Sequence, residues 1–364
     1  MVKRKRILLV DIGAPFGGVE TYVQSLASIL VNEADIYSIC ALPELAARLQ
    51  SLGVRVFCLP ILGSRAHNAV RFVITALIFP FYLLRYRIDV VQVNGYLESL
   101  LVLPARFLGS TAIRTSHGPS EVELYRWYRR PTKYFPRLAS RWFLNFASKV
   151  VCVSEAVGRE VLRTVDPRRV LIIPNWVSHL PAYERPFHNK RAVQLLFVGR
   201  LEEYKGLQLL LEAMRGLEGA RLIVLGVGSF RPQLEGMAQG LDVSFTGFCS
   251  NPASYYESAD IFVNPSLGPE GLPIVSLESM SHGLACIFSE LPVHQEISSG
   301  GEAAMLFRVG DAADLREKLI MLLSDVELRR TLSAKARDIV KKRYSPEAAR
   351  EGYLRAFELV EAEA

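Results

Sequence analysis

Cysteine is scarce in this sequence, and its pattern excludes two classes of small protein. The five cysteines are scattered, and none of them forms a Cys-x-x-Cys pair. A disulfide framework or a zinc site is usually built from closely spaced cysteines, so neither is predicted. Four of the five stand beside apolar runs, which is typical of buried thiols in a reducing compartment. The five cysteines are Cys40, Cys58, Cys152, Cys249 and Cys286.

Long hydrophobic runs are also missing. The most apolar stretch, Phe72–Leu84, is thirteen residues long and is interrupted by Pro80. This length is too short to span a bilayer, and it predicts a buried or surface-lying helix. Near the start of the chain, Lys3 to Arg6 precede only four apolar residues, Ile7 to Val10, before Asp11. That pattern favours a first β-strand over a signal peptide.

Charge is distributed unevenly between the two halves of the chain. Residues 1–186 contain 24 Lys and Arg against 13 Asp and Glu, a net of +11. Residues 187–364 contain 19 against 24, a net of −5, and the two halves sum to the overall +6. A basic first half is expected to attract nucleic acid, anionic lipid or a phosphorylated substrate, and ordinary solubility charge is the alternative.

Length and patterning predict two α/β domains. The 364 residues exceed what one compact core usually supports. Short apolar runs alternate with helical patterns, which is typical of βαβ units and parallel sheets. A proline-punctuated segment from Pro174 to Pro186 predicts a linker between domains at 1–186 and 187–345. The predicted strands are 7–10, 36–41, 54–59, 90–93, 112–115, 150–153, 194–198, 220–225, 243–246, 261–264 and 285–288.

Residues 265–280 carry the strongest functional signal. Two carboxylates, Glu270 and Glu278, stand on either side of a Gly-Leu-Pro turn that follows the apolar run Ile261 to Val263. Strand, polar loop and a helix beginning near Pro273 form the layout in which backbone N–H groups face an anion. Two carboxylates so placed can hold both ends of one polyhydroxylated ligand. A helix dipole alone explains Glu270, but not the Gly-Leu-Pro turn.

The 265–280 segment resembles the donor-binding signature of the retaining glycosyltransferases of family four, which have the GT-B fold. Other pieces match the family in order: Gly17 to Glu20, Ser116-His117-Gly118, and Phe197 to Leu201 followed by Lys205-Gly206. The resemblance runs from about residue 6 to about residue 345. It implies two Rossmann-like, doubly wound α/β domains facing a central cleft. The first would bind chiefly the acceptor and the second the donor, with a final helix at about 346–364 packing back onto the first.

The resemblance also implies roles for single residues in binding a nucleotide sugar. Glu278 is expected to bind the ribose hydroxyls, and Glu270 the donor sugar. His117 is expected near the sugar and the β-phosphate, although a core histidine is the alternative. Backbone groups of the remaining positions would approach the sugar, the diphosphate, the acceptor, the nucleotide or the base. They are Gly17, Gly18, Gly226, Gly228, Phe248, Cys249, Gly271 and Leu272.

The leaving diphosphate calls for positive charge, and two cations stand at a predicted strand-to-helix junction. Arg200 and Lys205 are spaced to bracket both phosphates, Arg as a fork and Lys as a point charge. A solvated helix start is the alternative reading for both. The glycine pattern at 226–228 does not continue as a dinucleotide fingerprint, because Arg231 stands where the third glycine would be. NAD binding is therefore disfavoured.

These observations predict a nucleotide-sugar-dependent retaining glycosyltransferase with Glu270, His117, Arg200 and Lys205 in the reaction centre. Asp-x-Asp does not occur in the chain, so no catalytic metal and no cofactor besides the donor is expected. A sugar-nucleotide 2-epimerase of the same fold and a non-catalytic subunit of a glycosyltransferase complex are the alternatives. The sequence departs from the family at Trp176, Ser178 and Leu291 to Val293, which puts donor identity and linker geometry in question.

The basic first half predicts where the enzyme acts. Phe72–Leu84 ends in Arg85-Tyr86-Arg87, and a second segment from Tyr125 to Phe143 interleaves aromatic and basic residues. Such segments suit an anionic membrane surface, while a buried helix and an ordinary loop are the alternative. We expect a cytoplasmic protein, peripheral on the inner face of the cell membrane, that acts on a lipid-linked or envelope glycan acceptor. No nucleic-acid partner is expected.

Overall fold

The computed structural model describes residues 4–13, 17–59, 67–95, 97–118, 143–182 and 192–359. These residues divide into two compact units. The first unit contains the described residues up to 118, residues 143–175 and residues 346–359. The second contains residues 176–182 and 192–345. The predicted membrane segment at 125–143 lies outside the described residues except for Phe143.

The first unit is built on a seven-stranded sheet in the order β3-β2-β1-β4-β5-β6-β7, with every neighbouring pair parallel. Both faces of the central strand are covered, because Ile7, Leu8, Leu9 and Val10 have no exposed surface. Continuous apolar runs are what such doubly covered parallel strands require. The strands are β1 Arg6–Asp11, β2 Asp35–Cys40, β3 Arg55–Cys58, β4 Val90–Val93, β5 Thr111–Ser116, β6 Lys149–Cys152 and β7 Val170–Ile172.

Helices cover this first sheet. Their apolar residues recur at helical spacing, as in α1, where Tyr22, Val23, Leu26 and Leu30 are buried. The long helix α3 includes the predicted apolar stretch and continues through Pro80. The helices are α1 Gly18–Leu30, α2 Pro43–Ser51, α3 His67–Tyr86, α4 Val102–Phe107 and α5 Glu155–Val161, with short 3-10 turns at Glu98–Leu101 and Pro167–Arg169.

The second unit repeats the plan with six parallel strands in the order β10-β9-β8-β11-β12-β13. Its core joins Leu195, Phe197 and Val263 on the strands to Leu210 and Leu319 on helices. The strands are β8 Val193–Val198, β9 Ala220–Leu225, β10 Val243–Gly247, β11 Ile261–Asn264, β12 Ala285–Ser289 and β13 Met305–Phe307. The helices are α6 Leu207–Ala213, α7 Arg231–Met237, α8 Ala253–Ser258, α9 Ile274–Ser281, α10 Pro292–Ile297, α11 Ala312–Ser324 and α12 Val326–Arg343, with a 3-10 turn at Glu203–Lys205.

The final helix, α13 (Pro346–Ala356), packs in the first unit. The hydroxyl groups of Tyr353 and Tyr22 lie 2.5 Å apart, and the Lys149 ammonium donates to the Ala356 carbonyl at 2.8 Å. The predicted linker from Pro174 to Pro186 belongs largely to the second unit, where the Val177 N–H donates to the Tyr344 carbonyl at 3.0 Å. The structure therefore divides the chain between residues 175 and 176, before the division at 186/187 that the prolines indicated.

Both sheets have the doubly wound order, and the prediction of two such α/β domains is confirmed. The order reverses between β1 and β4 in the first sheet and between β8 and β11 in the second. Loops after these strands meet at a switch point, where doubly wound proteins bind ligands. The sequence missed the edge strands β7 and β13, which have three residues each. No helix among the described residues is long and apolar enough to cross a membrane.

Candidate functional site

The loops after β8 and β11 are joined at the switch point of the second sheet. The Tyr204 carbonyl accepts the N–H groups of Leu267 at 2.7 Å and Gly268 at 3.3 Å. Gly206 has φ 72°, and a Cβ added there would lie 1.9 Å from the Pro265 carbonyl oxygen. Glycine is required at this position both for its left-handed backbone and for this approach. The two loops therefore carry their side chains to one place.

Lys205 and Glu270, which the sequence assigned to phosphate and sugar, form one ion pair there. Lys205 Nζ lies 2.5 Å from Glu270 Oε1, and the two side chains are only 17% and 10% exposed. The Ser266 hydroxyl donates to the same carboxylate oxygen at 2.5 Å. Burial alone would raise the pKa of Glu270, but the Lys205 charge and these hydrogen bonds together hold the pKa below its ordinary value. Glu270 is consequently an anion at neutral pH.

Arg200 stands beside this pair on an exposed position of the β8 loop. Its guanidinium hydrogen-bonds the Tyr204 hydroxyl and lies 5.6 Å from the centre of the Tyr204 ring. Lys205 Nζ lies 5.2 Å from the same ring centre. One buried aromatic ring thus holds both cations that the sequence singled out. Two cations held beside one ring suit a polyanionic ligand.

Glu278 lies on α9 in a different environment. The Tyr256 hydroxyl donates to Glu278 Oε2 at 2.9 Å. Burial raises the pKa of Glu278 to about 7, and the Tyr256 hydrogen bond only partly opposes this. His282 stacks on the Tyr256 ring with centres 5.2 Å apart. Unlike Glu270, Glu278 therefore changes its charge close to neutral pH.

The glycines at 226 and 228 bring a third loop against the β8 loop. A Cβ on Gly226 would lie 1.9 Å from the Gly199 carbonyl oxygen, and one on Gly228 would lie 2.1 Å from that of Leu201. Close backbone packing is a sufficient reason for both glycines. Phe248, after β10, is 54% exposed, whereas Leu272 is buried beside Gly271 just before Pro273, which precedes α9.

His117 and the predicted glycine loop lie at the carboxyl ends of strands in the first unit. His117 Nε2 is 3.1 Å from Asn94 Oδ1, and the Asn94 amide donates to the Val10 carbonyl at 3.3 Å. His117 therefore donates from Nε2. Burial and the Arg114 charge lower the pKa of His117 to about 3, so the ring is neutral.

Three buried carboxylates gather at the switch point of the first sheet, and of these the sequence indicated only Glu20. The Gly17 N–H donates to Glu20 Oε2 at 2.7 Å, next to Gly18 at the start of α1. Glu98 Oε1 accepts the Ile12 N–H at 3.2 Å. Burial and then the charges of Glu20 and Glu98 raise the pKa of Asp11, and burial raises the pKa of Glu98.

Sequence reasoning missed the side chains that hold the predicted site residues. Tyr204 contacts both Arg200 and Lys205, Tyr256 contacts Glu278, and Ser266 contacts Glu270. The signal for Tyr204 was its place between Arg200 and Lys205, while Tyr256 is distant in sequence from its partner. Within the described part of the chain, no group of three or more His, Cys, Asp or Glu side chains is arranged to hold a metal ion.

Two family models match the chain. The model described as Glycosyltransferase Family 4 matches residues 16–179, and the model described as Glycosyl transferases group 1 matches residues 192–325. Together they cover most of both units. The fold is similar to that of sucrose-phosphate synthase from Thermosynechococcus elongatus, with a TM-score of 0.84, 20% identity and 98% of each chain covered. The fold is also similar to that of Anabaena HepE in complex with UDP and glucose. The TM-score is 0.81 at 16% identity, with 98% of this chain and 100% of that chain covered.

Curated relatives match parts of the chain at higher identity. A sulfoquinovosyl transferase of Arabidopsis thaliana is 34% identical over 41% of this chain, and a phosphatidyl-myo-inositol mannosyltransferase of Mycobacterium leprae is 31% identical over 46%. A lipopolysaccharide core biosynthesis glycosyltransferase of Rhizobium meliloti is 29% identical over 56%. The matched regions span 30%, 46% and 62% of these relatives' own lengths, less than two thirds of each.

Proposed function

The chain belongs to the GT-B glycosyltransferases, with a Family 4 domain followed by a group 1 domain, and we propose that it transfers a sugar from a nucleotide-sugar donor to an acceptor hydroxyl. The observation that carries the proposal is the second switch point, where Arg200 and Lys205 meet around Tyr204 beside Glu270. A leaving diphosphate gains negative charge in the transition state. Two fixed cations stabilise that charge more than they stabilise the bound donor.

The two glutamates suit different parts of a nucleotide sugar. Glu270 is a permanent anion beside the cations, and its carboxylate can accept hydroxyl hydrogen bonds from the donor sugar. Glu278, held by Tyr256, offers a carboxylate to the ribose diol. The backbone N–H groups of Gly271 and Leu272 are the remaining proposed contacts of the sugar.

We assign the reaction to the retaining class without a metal ion. Glu270 is a poor general base, because its pKa is lowered by an ion pair it would have to break on accepting a proton. In the proposed step the bond from the anomeric carbon to the phosphate oxygen breaks. The acceptor oxygen bonds to the same face of that carbon, and its proton passes to the leaving diphosphate. Arg200 and Lys205 supply the positive charge that a metal ion would otherwise bring.

A donor panel tests this function. We expect one nucleotide sugar to release its nucleoside diphosphate only when an acceptor is present, in the presence of EDTA. The anomeric configuration of the product, read from its NMR coupling constant, should match that of the donor. A 2-epimerase would convert the nucleotide sugar without any acceptor, and a non-catalytic subunit would bind a nucleotide without turnover. Either outcome contradicts the proposal, and an inverted product would contradict the retaining assignment alone.

The proposed acceptor is lipid-linked and is reached at an anionic membrane surface. Six large apolar side chains on α3 are exposed, and Leu77 and Phe81 are 75% and 71% exposed. At 3.6 residues per turn these six positions lie on one face of the helix, within an arc of about 100°. They are Val70, Val73, Ile74, Leu77, Phe81 and Leu84. Helix α4 packs against α3 and adds Phe107, which is 92% exposed.

Basic residues flank this apolar face, and we propose that the face binds an anionic bilayer. Helix α3 contains no Asp or Glu, and the exposed Arg85 and Arg87 stand at its end. Arg106 is exposed on α4 beside Phe107. Apolar side chains at headgroup depth with flanking arginines are the pattern of interfacial helices. Relatives that carry phosphatidyl-myo-inositol or lipopolysaccharide core in their names support a lipid-related acceptor.

Vesicle sedimentation tests the membrane surface separately from catalysis. We expect binding to vesicles that contain phosphatidylglycerol, weaker binding in high salt, and loss of binding in a Leu77→Ser/Phe81→Ser variant. The matched control is Ile320→Ser/Met321→Ser. These two apolar side chains are also exposed, 45% each, but they lie on α11 in the second unit. Equal recovery of the wild type with neutral and anionic vesicles would contradict the proposed surface and leave the transfer reaction untouched.

A further inference from the structure

His294 is a fully buried histidine for which the predicted reaction has no role. It lies on α10, just after β12, and has no exposed surface. Its Nδ1 is 2.7 Å from the Ser289 carbonyl oxygen, so Nδ1 carries the hydrogen and donates. Burial lowers the pKa of His294 to about 4, although Glu270 and Ser289 raise it. The ring is thus neutral and held by its Nδ1 side.

Ser289 connects this ring to the loop that carries Glu270. The Ser289 hydroxyl donates to the Ser266 carbonyl at 2.7 Å, and the Ser266 hydroxyl donates to Glu270 Oε1 at 2.5 Å. Both serines have no exposed surface. Buried hydrogen bonds in series fix geometry strongly, because each unmade bond would leave a desolvated group without a partner.

The ring also lies in the electrostatic field of the Lys205–Glu270 pair. Glu270 raises the pKa of His294 and Lys205 lowers it, while His294 contributes to the lowered pKa of Glu270. Its Nε2 is buried without a hydrogen-bond partner among the described residues. Among the described residues, the hydrogen bonds of the ring are therefore those of Nδ1 with Ser289.

We propose that His294 is a positioning residue that orients Glu270 and Lys205 for sugar transfer through Ser289 and Ser266. This inference rests on the proposed transferase function and adds a residue to it. His294 touches neither the diphosphate nor the ribose in this scheme. Its loss should therefore slow the transfer step and leave nucleotide affinity unchanged.

Two isosteric substitutions separate the two ring nitrogens. Asn places an amide N–H near the position of Nδ1, whereas Gln reaches the position of Nε2 without restoring the bond to Ser289. We expect His294→Ala and His294→Gln to lower kcat by about 100-fold with donor KM within about threefold of wild type. We expect His294→Asn to stay within about threefold of wild type in both constants.

Controls distinguish positioning from local unfolding. The Ser298 hydroxyl donates to the His294 carbonyl at 2.7 Å and is equally buried, so Ser298→Ala disturbs the same helix without touching the route to Glu270. It should keep wild-type kcat. In a Ser266→Ala background, His294→Ala should lower kcat by less than about threefold further, because the route is already cut.

A substrate-free measurement keeps this test independent of the reaction. The losses in melting temperature caused by His294→Ala and Ser266→Ala should be less than additive in the double variant, since both cut one hydrogen-bonded series. Additive losses, or normal kcat in His294→Gln with low kcat in His294→Asn, would overturn the inference. A wild type that transfers no sugar from any donor would instead overturn the proposed function, and the melting series would still decide the connection.

Discussion

The two sheets share one strand order through their first six strands, yet their switch points carry different charges. In the first unit, Asp11, Glu20 and Glu98 are buried where the loops after β1 and β4 begin. In the second unit, Arg200 and Lys205 follow β8 and lie beside Glu270, which follows β11. Two further carboxylates follow β8, but Glu202 accepts from the Ser229 hydroxyl and Glu203 is exposed. The paired cations of the second group attract a diphosphate, whereas the three carboxyl groups of the first do not. The topology fixes where a ligand can bind, and a few side chains decide which ligand it is.

The net charge of each half has the opposite sign to the charged side chains at its switch point. The basic half, at +11, holds the three buried carboxylates, and the acidic half, at −5, holds the paired cations. Net charge is set mostly by exposed residues such as Arg85 and Arg87. A ligand in a loop cluster responds to the few charges nearest to it, because those are screened least. The basic surface of the first half is better matched to anionic lipid than to a donor diphosphate.

The largest effect should come from removing the cations of the second switch point. We expect Arg200→Ala and Lys205→Met each to lower turnover by about 100- to 1,000-fold, because each removes charge that stabilises the departing diphosphate. Lys205→Met should also lower the free energy of unfolding by about 3–5 kcal/mol, since it leaves Glu270 buried without its partner. Denaturant unfolding of Lys205→Met/Glu270→Gln should recover most of that loss while the variant stays inactive. Near-normal turnover in both single variants would contradict the assignment.

Removing only the carboxylate sharpens the contrast with the first unit. We expect Glu270→Gln to lower turnover by about 100-fold and to leave bare nucleoside diphosphate bound as tightly as before, or more tightly. The reason is that Lys205 loses the anion that competes with phosphate for its ammonium group. Isothermal titration calorimetry with the sugar-free nucleotide measures this. Weaker nucleotide binding in Glu270→Gln would contradict the division of roles between the two glutamates.

Glu278 should give a smaller effect with a pH dependence. We expect Glu278→Gln to weaken nucleoside diphosphate binding by about tenfold, because a charged hydrogen-bond acceptor for ribose is lost. The pKa of Glu278 is raised to about 7, so wild-type affinity should fall as the pH decreases from 8 to 6, while the variant shows no such change. Calorimetric titrations across this range decide the point. An equally steep dependence in Glu278→Gln would assign the titration to another group.

Stability should show the reverse trend with pH at Glu278. A carboxyl group whose folded pKa lies above its unfolded value makes the folded state bind more protons between those two values. Stability of the wild type is therefore lost as the pH rises from the ordinary glutamate range towards 7, and Glu278→Gln should gain relative to it across that window. Denaturant unfolding at pH 5 and pH 8 checks the sign.

The smallest effect is expected at the first switch point. Burial and the neighbouring carboxylates raise the pKa of Asp11, and its Oδ2 has no partner among the described residues. Asp11→Asn removes an acid that resists ionisation and supplies a donor, so we expect the variant to gain about 1 kcal/mol of stability relative to wild type at pH 8 and less at pH 5. Nucleoside diphosphate affinity should not change. Weakened nucleotide binding in Asp11→Asn would contradict our assignment of the diphosphate to the second sheet.

Patterning in the sequence predicted most of the fold. Strands β4, β9 and β11 match their predicted bounds, because each is a short, mostly apolar run. The edge strands β7 and β13 were missed since three residues give no usable period. The position of α13 came from the family resemblance and not from its own pattern.

The candidate site was predictable only in part. Arg200, Lys205, Glu270 and Glu278 were singled out because each lies in a short motif after a strand, and their roles stay predictions. Their partners come from other loops, as when Tyr256 on α8 reaches Glu278 on α9. Nothing in the sequence indicated that Lys205 pairs with Glu270 at 2.5 Å, so the idea that Lys205 is an independent phosphate ligand ignored a competing anion. Such contacts depend on loop packing that only the folded chain specifies.

The most direct test of the central claim is calorimetric binding of the bare nucleoside diphosphate to wild type, Arg200→Ala and Asp11→Asn/Glu98→Gln. The nucleotide is the one that gives the largest thermal shift in a panel that begins with UDP. We predict that affinity falls by at least about 30-fold in Arg200→Ala and stays within about twofold in the double variant, with binding weakened by salt. Unchanged affinity in Arg200→Ala together with weakened affinity in Asp11→Asn/Glu98→Gln would contradict the assignment of the diphosphate to the second switch point.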